Sequence, residues 1–174
     1  RVLDELRPWI REGVHLVGAE PSCVAVFRDE LPNLLPHDED ALRLSLQTLT
    51  LGEYLRQETP DWRPPHRDGT ALLHVHCHQA AVMGFEADLE VLRAMGLDAR
   101  KLDSGCCGMA GSFGFEAAKY DLSKAIYEHR LAGMVRDAPG DALLVADGFS
   151  CKTQIEQLGG RRAFRLCVFH RSGP

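Results

Sequence analysis

Apolar residues along this chain alternate between short runs of strand length and longer stretches with helical spacing. VHLVG (14–18) predicts a strand, and CVAVFRDELPNLL (23–35) a helix that starts at a Ser22 cap and that Pro32 should kink or end. DEDALRLSLQTLTLGEYLRQE (38–58) predicts one long amphipathic helix, with Leu42, Leu46, Leu49 and Leu55 near helical spacing. The Pro-rich, polar TPDWRPPHRDG (59–69) reads as a linker. Beyond it, ALLHVHC (71–77) predicts a buried strand and QAAVMGFEADLEVLRAMG (79–96) a helix closed by Gly96. LDARKLD (97–103) is a shorter strand, and FEAAKYDLSKAIYEHRLAGMVRDA (115–138) a strong helix. A strand at 142–146, a short helix at 150–159 and a final strand at 163–169 complete the order.

Strands alternating with helices imply an α/β fold, a mostly parallel sheet flanked by helices. LVGAEPSC (16–23) and LVADGFSC (144–151) align without a gap, each as strand, loop, cysteine and helix. The echo predicts two pseudo-repeated halves, the first truncated at its N-terminus. The expected boundaries are 1–58 for the end of the first half, 59–70 for a linker and 71–174 for the second half. Arg1 stands where an initiator Met would be, so the chain is expected to begin inside a longer protein.

Six cysteines stand at 23, 77, 106, 107, 151 and 167. A chain of 174 residues is long enough to fold without disulfide staples, and it shows no export signal. Clustered cysteines in that setting point to metal, cluster or redox chemistry. Cys77, Cys106, Cys107 and Cys151 all fall at or just beyond predicted strand ends, where parallel sheets collect functional groups. The gaps between them are too long for a zinc knuckle, so three separate loops would have to deliver the ligands. Cys167 reads as core. His74, His76 and His78 alternate along one strand face, and each reads first as a structural histidine, with ligation, orientation or proton relay as the alternative for His76 and His78, which flank Cys77.

Bulk properties narrow the classes. A net charge of −5 gives no electrostatic footprint for nucleic acid, and Arg161, Arg162 and Arg165 read as a solvated face. No apolar run approaches the roughly 20 residues needed to span a bilayer. The expected location is cytoplasmic, or peripheral to the inner face of the membrane.

HCHQ (76–79), DSGCCGMAGSFG (103–114) and ADGFSC (146–151) resemble the cysteine-rich CCG domain, and GAEPSC (18–23) fits that family's preceding repeat. This domain occurs in the heterodisulfide reductases, in the iron–sulfur subunit of glycolate oxidase and in lactate-utilisation proteins. The wording is most similar to the C-terminal part of fused FAD-linked and iron–sulfur D-2-hydroxyacid dehydrogenases. The resemblance implies that Cys77, Cys106, Cys107 and Cys151 are the ligands of a 4Fe-4S cluster or a zinc ion. It implies Cys23 as a fifth candidate if the halves face each other. The family pattern ends in Cys-x-x-Cys, and here Gly148 stands for its first cysteine, as Glu20 does before Cys23. That departure leaves the five-cysteine cluster of the heterodisulfide reductases unsupported.

By the same resemblance the chain is an electron-transfer part of a flavin-dependent D-lactate, glycolate or D-2-hydroxyglutarate dehydrogenase. Its partners would be flavin and ferredoxin-like domains of the same parent chain, with quinone or another acceptor receiving the electrons. FAD would sit in a separate domain, and this fragment would not turn over substrate alone. Two alternatives stand beside it: a zinc-binding structural or docking module, and a thiol–disulfide site at Cys106 and Cys107.

Overall fold

A computed structural model describes residues 1–170. In chain order the elements are α1 (Val2–Arg11), β1 (Leu16–Gly18), α2 (Pro21–Ala25), α3 (Leu31–Leu34), α4 (Glu39–Gln47), β2 (Thr48–Thr50) and α5 (Leu51–Gln57). There follow β3 (Thr70–Leu73), α6 (Glu86–Ala94), β4 (Asp98–Lys101), α7 (Tyr120–His129), α8 (Leu131–Asp137), β5 (Leu143–Val145), α9 (Phe149–Gly159) and β6 (Ala163–Phe164). Residues 59–69 carry neither helix nor strand. The fold is α/β, as the pattern predicts, with two sheets. One pairs β1 with β2, and the other has the order β4-β3-β5-β6; every pairing is parallel.

The large sheet is buried on both faces, and residue alternation decides which face each side chain serves. Ala71, Leu73 and Val145 pack with Leu89, Leu92 and Met95 of α6 and its exit. Leu144 and Ala163 face the other way, onto Tyr127, Leu131, Val135 and Ile155 of α7, α8 and α9. Each fully buried leucine here contributes about 1.5–3 kcal/mol of apolar transfer energy. The small sheet has its own core, where Leu3 and Ile10 of α1 meet Ala41 and Leu44 of α4.

Several elements differ from the sequence expectation. The stretch 38–58 is two helices around a strand, because Thr48–Thr50 extends to pair with β1. Thr50 then starts α5 with a capping box, its hydroxyl accepting the Glu53 amide while the Glu53 carboxylate accepts the Thr50 amide. The leucine spacing picked the wrong face of α4: Leu42 is 44% and Leu46 82% exposed, while Leu44 is buried. Pro32 does not break its helical stretch. The preceding turn widens, so that the Leu31 amide reaches Val26 O five residues back, which accommodates the amide and space lost to proline. The stretch then ends at Leu34. Ser22 lies inside α2, whose N-cap is Glu20. The stretch 115–138 breaks at Arg130 into α7 and α8. The final strand is two residues long and gives way to a 3-10 turn at Leu166, whose amide donates to Asp147 Oδ1 at 2.7 Å. Arg161 is half-buried rather than simply solvated, its guanidinium donating to the carbonyls of Ala138, Pro139 and Ala142 beyond α8.

The two echoing segments adopt one local structure. Leu16–Gly18 and Leu143–Val145 are strands, and helices begin at Pro21 and Phe149, which occupy matching positions. Glu20 and Gly148 are the extended N-cap residues, so Cys23 and Cys151 both sit third in their helices.

Candidate metal centre

Parallel pairing puts the carboxyl ends of β4, β3 and β5 along one edge of the sheet, with β3 between the other two. The chain leaving β3 carries His74, His76 and Cys77; that leaving β4 carries Ser104, Cys106 and Cys107; that leaving β5 carries Gly148 and, one helical turn into α9, Cys151. Three loops thus converge because three adjacent strands end together.

The four thiols lie close enough to shift one another's protonation in series, Cys77 with Cys106, Cys106 with Cys107 and Cys107 with Cys151. His74 adjoins the series at Cys151, whose thiol it helps to lower. Ligand atoms of His74, Cys107 and Cys151 all lie within 4.8 Å of one another, and all three residues are buried. Cys106 is half-buried and Cys77 exposed. Cys23 is exposed, outside this sulfur series, although its helix packs against the turn 79–83 that follows Cys77.

Protonation alternates along the series. Hydrogen bonds from Cys107 and Cys77, with the Gly108 amide 3.3 Å from its sulfur, hold the Cys106 thiol well below the ordinary range. Its neighbours move the other way: the hydrogen bond to Cys106 raises Cys77, and hydrogen bonds to Cys106 and Cys151 raise Cys107, with burial adding to both. Cys151 is lowered to about 5, first by the Cys107 hydrogen bond and then by that from His74. Four close sulfurs, two of them shifted toward the thiolate, make a donor set suited to a thiophilic metal, which displaces the remaining thiol protons on binding. The residues fit a metal or iron–sulfur centre by donor chemistry.

The supporting layer is tight. At Gly108, φ is +93°, and an added Cβ would lie 2.3 Å from Ser123 O, so this position tolerates only glycine. Ser123 in turn receives the Gln154 amide at 3.1 Å and contacts Met109 Sδ, tying the Cys-Cys loop to α7 and α9. Arg130 pairs with Asp103 at 2.6 Å across the mouth of the loop. Gly148 has ordinary backbone angles but no room, since a Cβ there would meet His76 Cδ2 at 2.5 Å and Cys151 Sγ at 3.3 Å. His76 Nδ1 accepts the His78 amide at 3.2 Å.

His74 is the residue that the sequence reading placed in the structural class and that the structure brings to the centre. Its signal was position: it directly follows β3 and lies three residues before Cys77, at the strand end where ligands gather.

The chain is 33% identical over 150 residues to one subunit of the anaerobic glycerol-3-phosphate dehydrogenase of Escherichia coli, covering 83% of this chain and 37% of that protein. It is 30% identical over 155 residues to the D-2-hydroxyglutarate dehydrogenase of Pseudomonas putida, covering 86% of this chain and 14% of that protein. The D-2-hydroxyglutarate dehydrogenase of Escherichia coli is 28% identical over 163 residues, with 92% and 16% covered. The chain therefore spans little more than a third, or less, of the curated relatives it matches. No family model matches, and no solved structure gives a significant match. Among the described residues no helix is long and apolar enough to cross a membrane. The matched regions are parts of longer dehydrogenase proteins, consistent with a CCG-type domain, and the described residues of this chain include a cysteine- and histidine-lined site fit for a metal.

Proposed function

We propose that this chain is the metal-binding electron-transfer part of a flavin-dependent dehydrogenase acting on a D-2-hydroxy acid, with a 4Fe-4S cluster held by Cys77, Cys106, Cys107 and Cys151. The observation that carries the reading is the convergence of these four thiols on three loops at adjacent strand ends, close enough to shift one another's protonation. Similarity to D-2-hydroxyglutarate dehydrogenases supports the substrate class. Oxidation of a 2-hydroxy acid to the 2-oxo acid releases two electrons and two protons, which FAD in a separate domain of the parent protein takes up. The cluster would supply one-electron storage between that flavin and an acceptor such as a quinone. The residues of this chain hold the sulfurs in place, direct the Gly108 amide at Cys106 and bury Cys107 and Cys151 away from water. In this reading residues 1–58 end a first half-repeat, 59–70 link, and 71–174 form the half that carries the centre.

Anaerobic reconstitution of the chain with iron and sulfide tests this. A brown protein with about four irons and matching labile sulfide, and a paramagnetic resonance signal on reduction, is expected. Protein that stays colourless and iron-free overturns it. A zinc-binding structural role is the second reading, favoured by the compactness of His74, Cys107 and Cys151, which suits a single ion. One zinc without labile sulfide after anaerobic purification would select it.

A further inference from the structure

Ser104 and His74 form a buried polar pair beside the sulfurs. His74 is 2% and Ser104 3% exposed, and His74 Nδ1 lies 2.6 Å from Ser104 Oγ. A buried imidazole needs partners for both nitrogens, and this contact engages only Nδ1. A ring nitrogen of the same imidazole also lies within 4.8 Å of the sulfurs of both Cys107 and Cys151. A histidine serving only the core would find backbone or water there.

We propose that His74 is a nitrogen ligand of the centre alongside Cys107 and Cys151, with Ser104 as a positioning residue that accepts the Nδ1 proton and leaves the Nε2 lone pair for the metal. The proposal rests on the single-ion reading of this site, the second one above, and puts an imidazole beside thiolates in place of the four-thiolate set of a cluster. Metal–sulfur and metal–nitrogen distances of about 2.3 and 2.0–2.1 Å place tetrahedral donors roughly 3.5–3.8 Å apart. The trio, already within 4.8 Å, needs only a small contraction to reach that spacing. Cys106, hydrogen-bonded to Cys107, is the next donor in reach. The serine completes the arrangement found around ligating histidines, whose second nitrogen is held by an outer partner that fixes tautomer and ring orientation.

Cobalt(II) is the probe. Anaerobic titration of the reduced 174-residue chain reads affinity from the growth of the bands, and the number of thiolates from the thiolate-to-cobalt charge-transfer intensity. Cobalt should bind the parent chain, and His74→Ala should weaken binding by about tenfold or more. Ser104→Ala should weaken it by about tenfold, with Ser104→Thr restoring it. His74→Cys should bind with charge-transfer intensity raised by one thiolate. That variant decides the matter even if His74→Ala fails to fold. Equal affinity and an unchanged spectrum in His74→Ala, or no added intensity in His74→Cys, overturns the ligand assignment while leaving a metal centre in place. Failure of the parent chain to bind cobalt overturns the metal reading and this inference together.

Discussion

Glu20 caps the helix that carries Cys151: its carboxylate accepts the Phe149 amide at 2.7 Å, across 129 positions of sequence. Gly148, the N-cap residue of α9, has no side chain to do this, and Glu20 supplies one from the N-cap of the matching helix α2. The same carboxylate lies 3.6 Å from Arg165 and accepts the Ser22 hydroxyl at 2.8 Å. Glu20→Ala is expected to cost about 1 kcal/mol in stability, the usual worth of an N-cap. It should also weaken metal binding, because Cys151 stands in the first turn of the helix thus frayed. Denaturant melts with and without metal check this. A variant as stable as the parent chain and with the same metal affinity would show that the cap does not hold the site.

Gly148 and Gly108 are glycines for different reasons, and alanine separates them. At Gly148 the atoms nearest the added Cβ belong to the His76 ring and Cys151 Sγ, both side chains, so Gly148→Ala should fold with a loss of about 1–3 kcal/mol. Its metal affinity should fall further than its stability suggests, because the displaced groups line the centre. At Gly108 the Cβ meets backbone, and φ is in the left-handed region. Gly108→Ala should therefore be the less stable of the two, by about 1 kcal/mol or more. Thermal melts of the two variants, ranked side by side, test the assignment.

Two carboxyls at the seam between the sheets make stability pH-dependent. Burial raises Asp88 from 3.8 to about 6, with the Glu53 charge adding to it and the Gln79 hydrogen bond opposing it. Burial also raises Asp147 from 3.8 to about 7, helped by the charges of Asp88 and Glu20 and opposed by the Leu166 amide and Arg165. A carboxyl whose folded value exceeds its unfolded one binds more protons folded than unfolded between the two. The stability it contributes is full below about pH 4 and is lost as pH rises through about 6 to 7. Unfolding free energy of the metal-free chain should thus fall between about pH 4 and 7, with Asp88 contributing on the order of 1–3 kcal/mol. Asp88→Asn should flatten that slope and raise stability at about pH 8. A slope unchanged by this substitution would remove Asp88 from the account.

The α/β order and the strand-end placement of Cys77, Cys106, Cys107 and Cys151 were legible because parallel strands buried on both faces leave apolar runs such as those around Leu73 and Val145. What hid was whatever depends on contacts distant in sequence. β2 was invisible because Thr48–Thr50 is a strand only through pairing with β1; the Thr50-to-Glu53 capping box was the local clue that α5 starts afresh. The leucine period misassigned α4, since Leu42 and Leu46 fall on its exposed face. Glu20 read as a lost cysteine and gave no hint of its cap on Phe149. His74 needed its neighbours: nothing in HVHCH ranks the first histidine above the others until Ser104, Cys107 and Cys151 are seen beside it.

Alternating protonation along the sulfur series predicts which thiol reacts first in the metal-free chain. Thiolate is the nucleophile, so reactivity follows a lowered pKa together with access. Cys106 has both, being held low by Cys107 and Cys77 and only half-buried. Cys151 is also lowered, but it is buried beneath the loop. Cys107 is buried and keeps its proton, and Cys77 is exposed but keeps its proton through the bond to Cys106. Iodoacetamide at about pH 6 should therefore label Cys106 roughly tenfold or more faster than Cys77 or Cys107. Metal loading should suppress labelling at Cys106, because coordination occupies the sulfur lone pairs. Peptide mapping by mass spectrometry gives the order directly. Labelling of Cys107 ahead of Cys106 would reverse the proton assignment along the series, and undiminished labelling of Cys106 in the loaded protein would place that sulfur outside the centre.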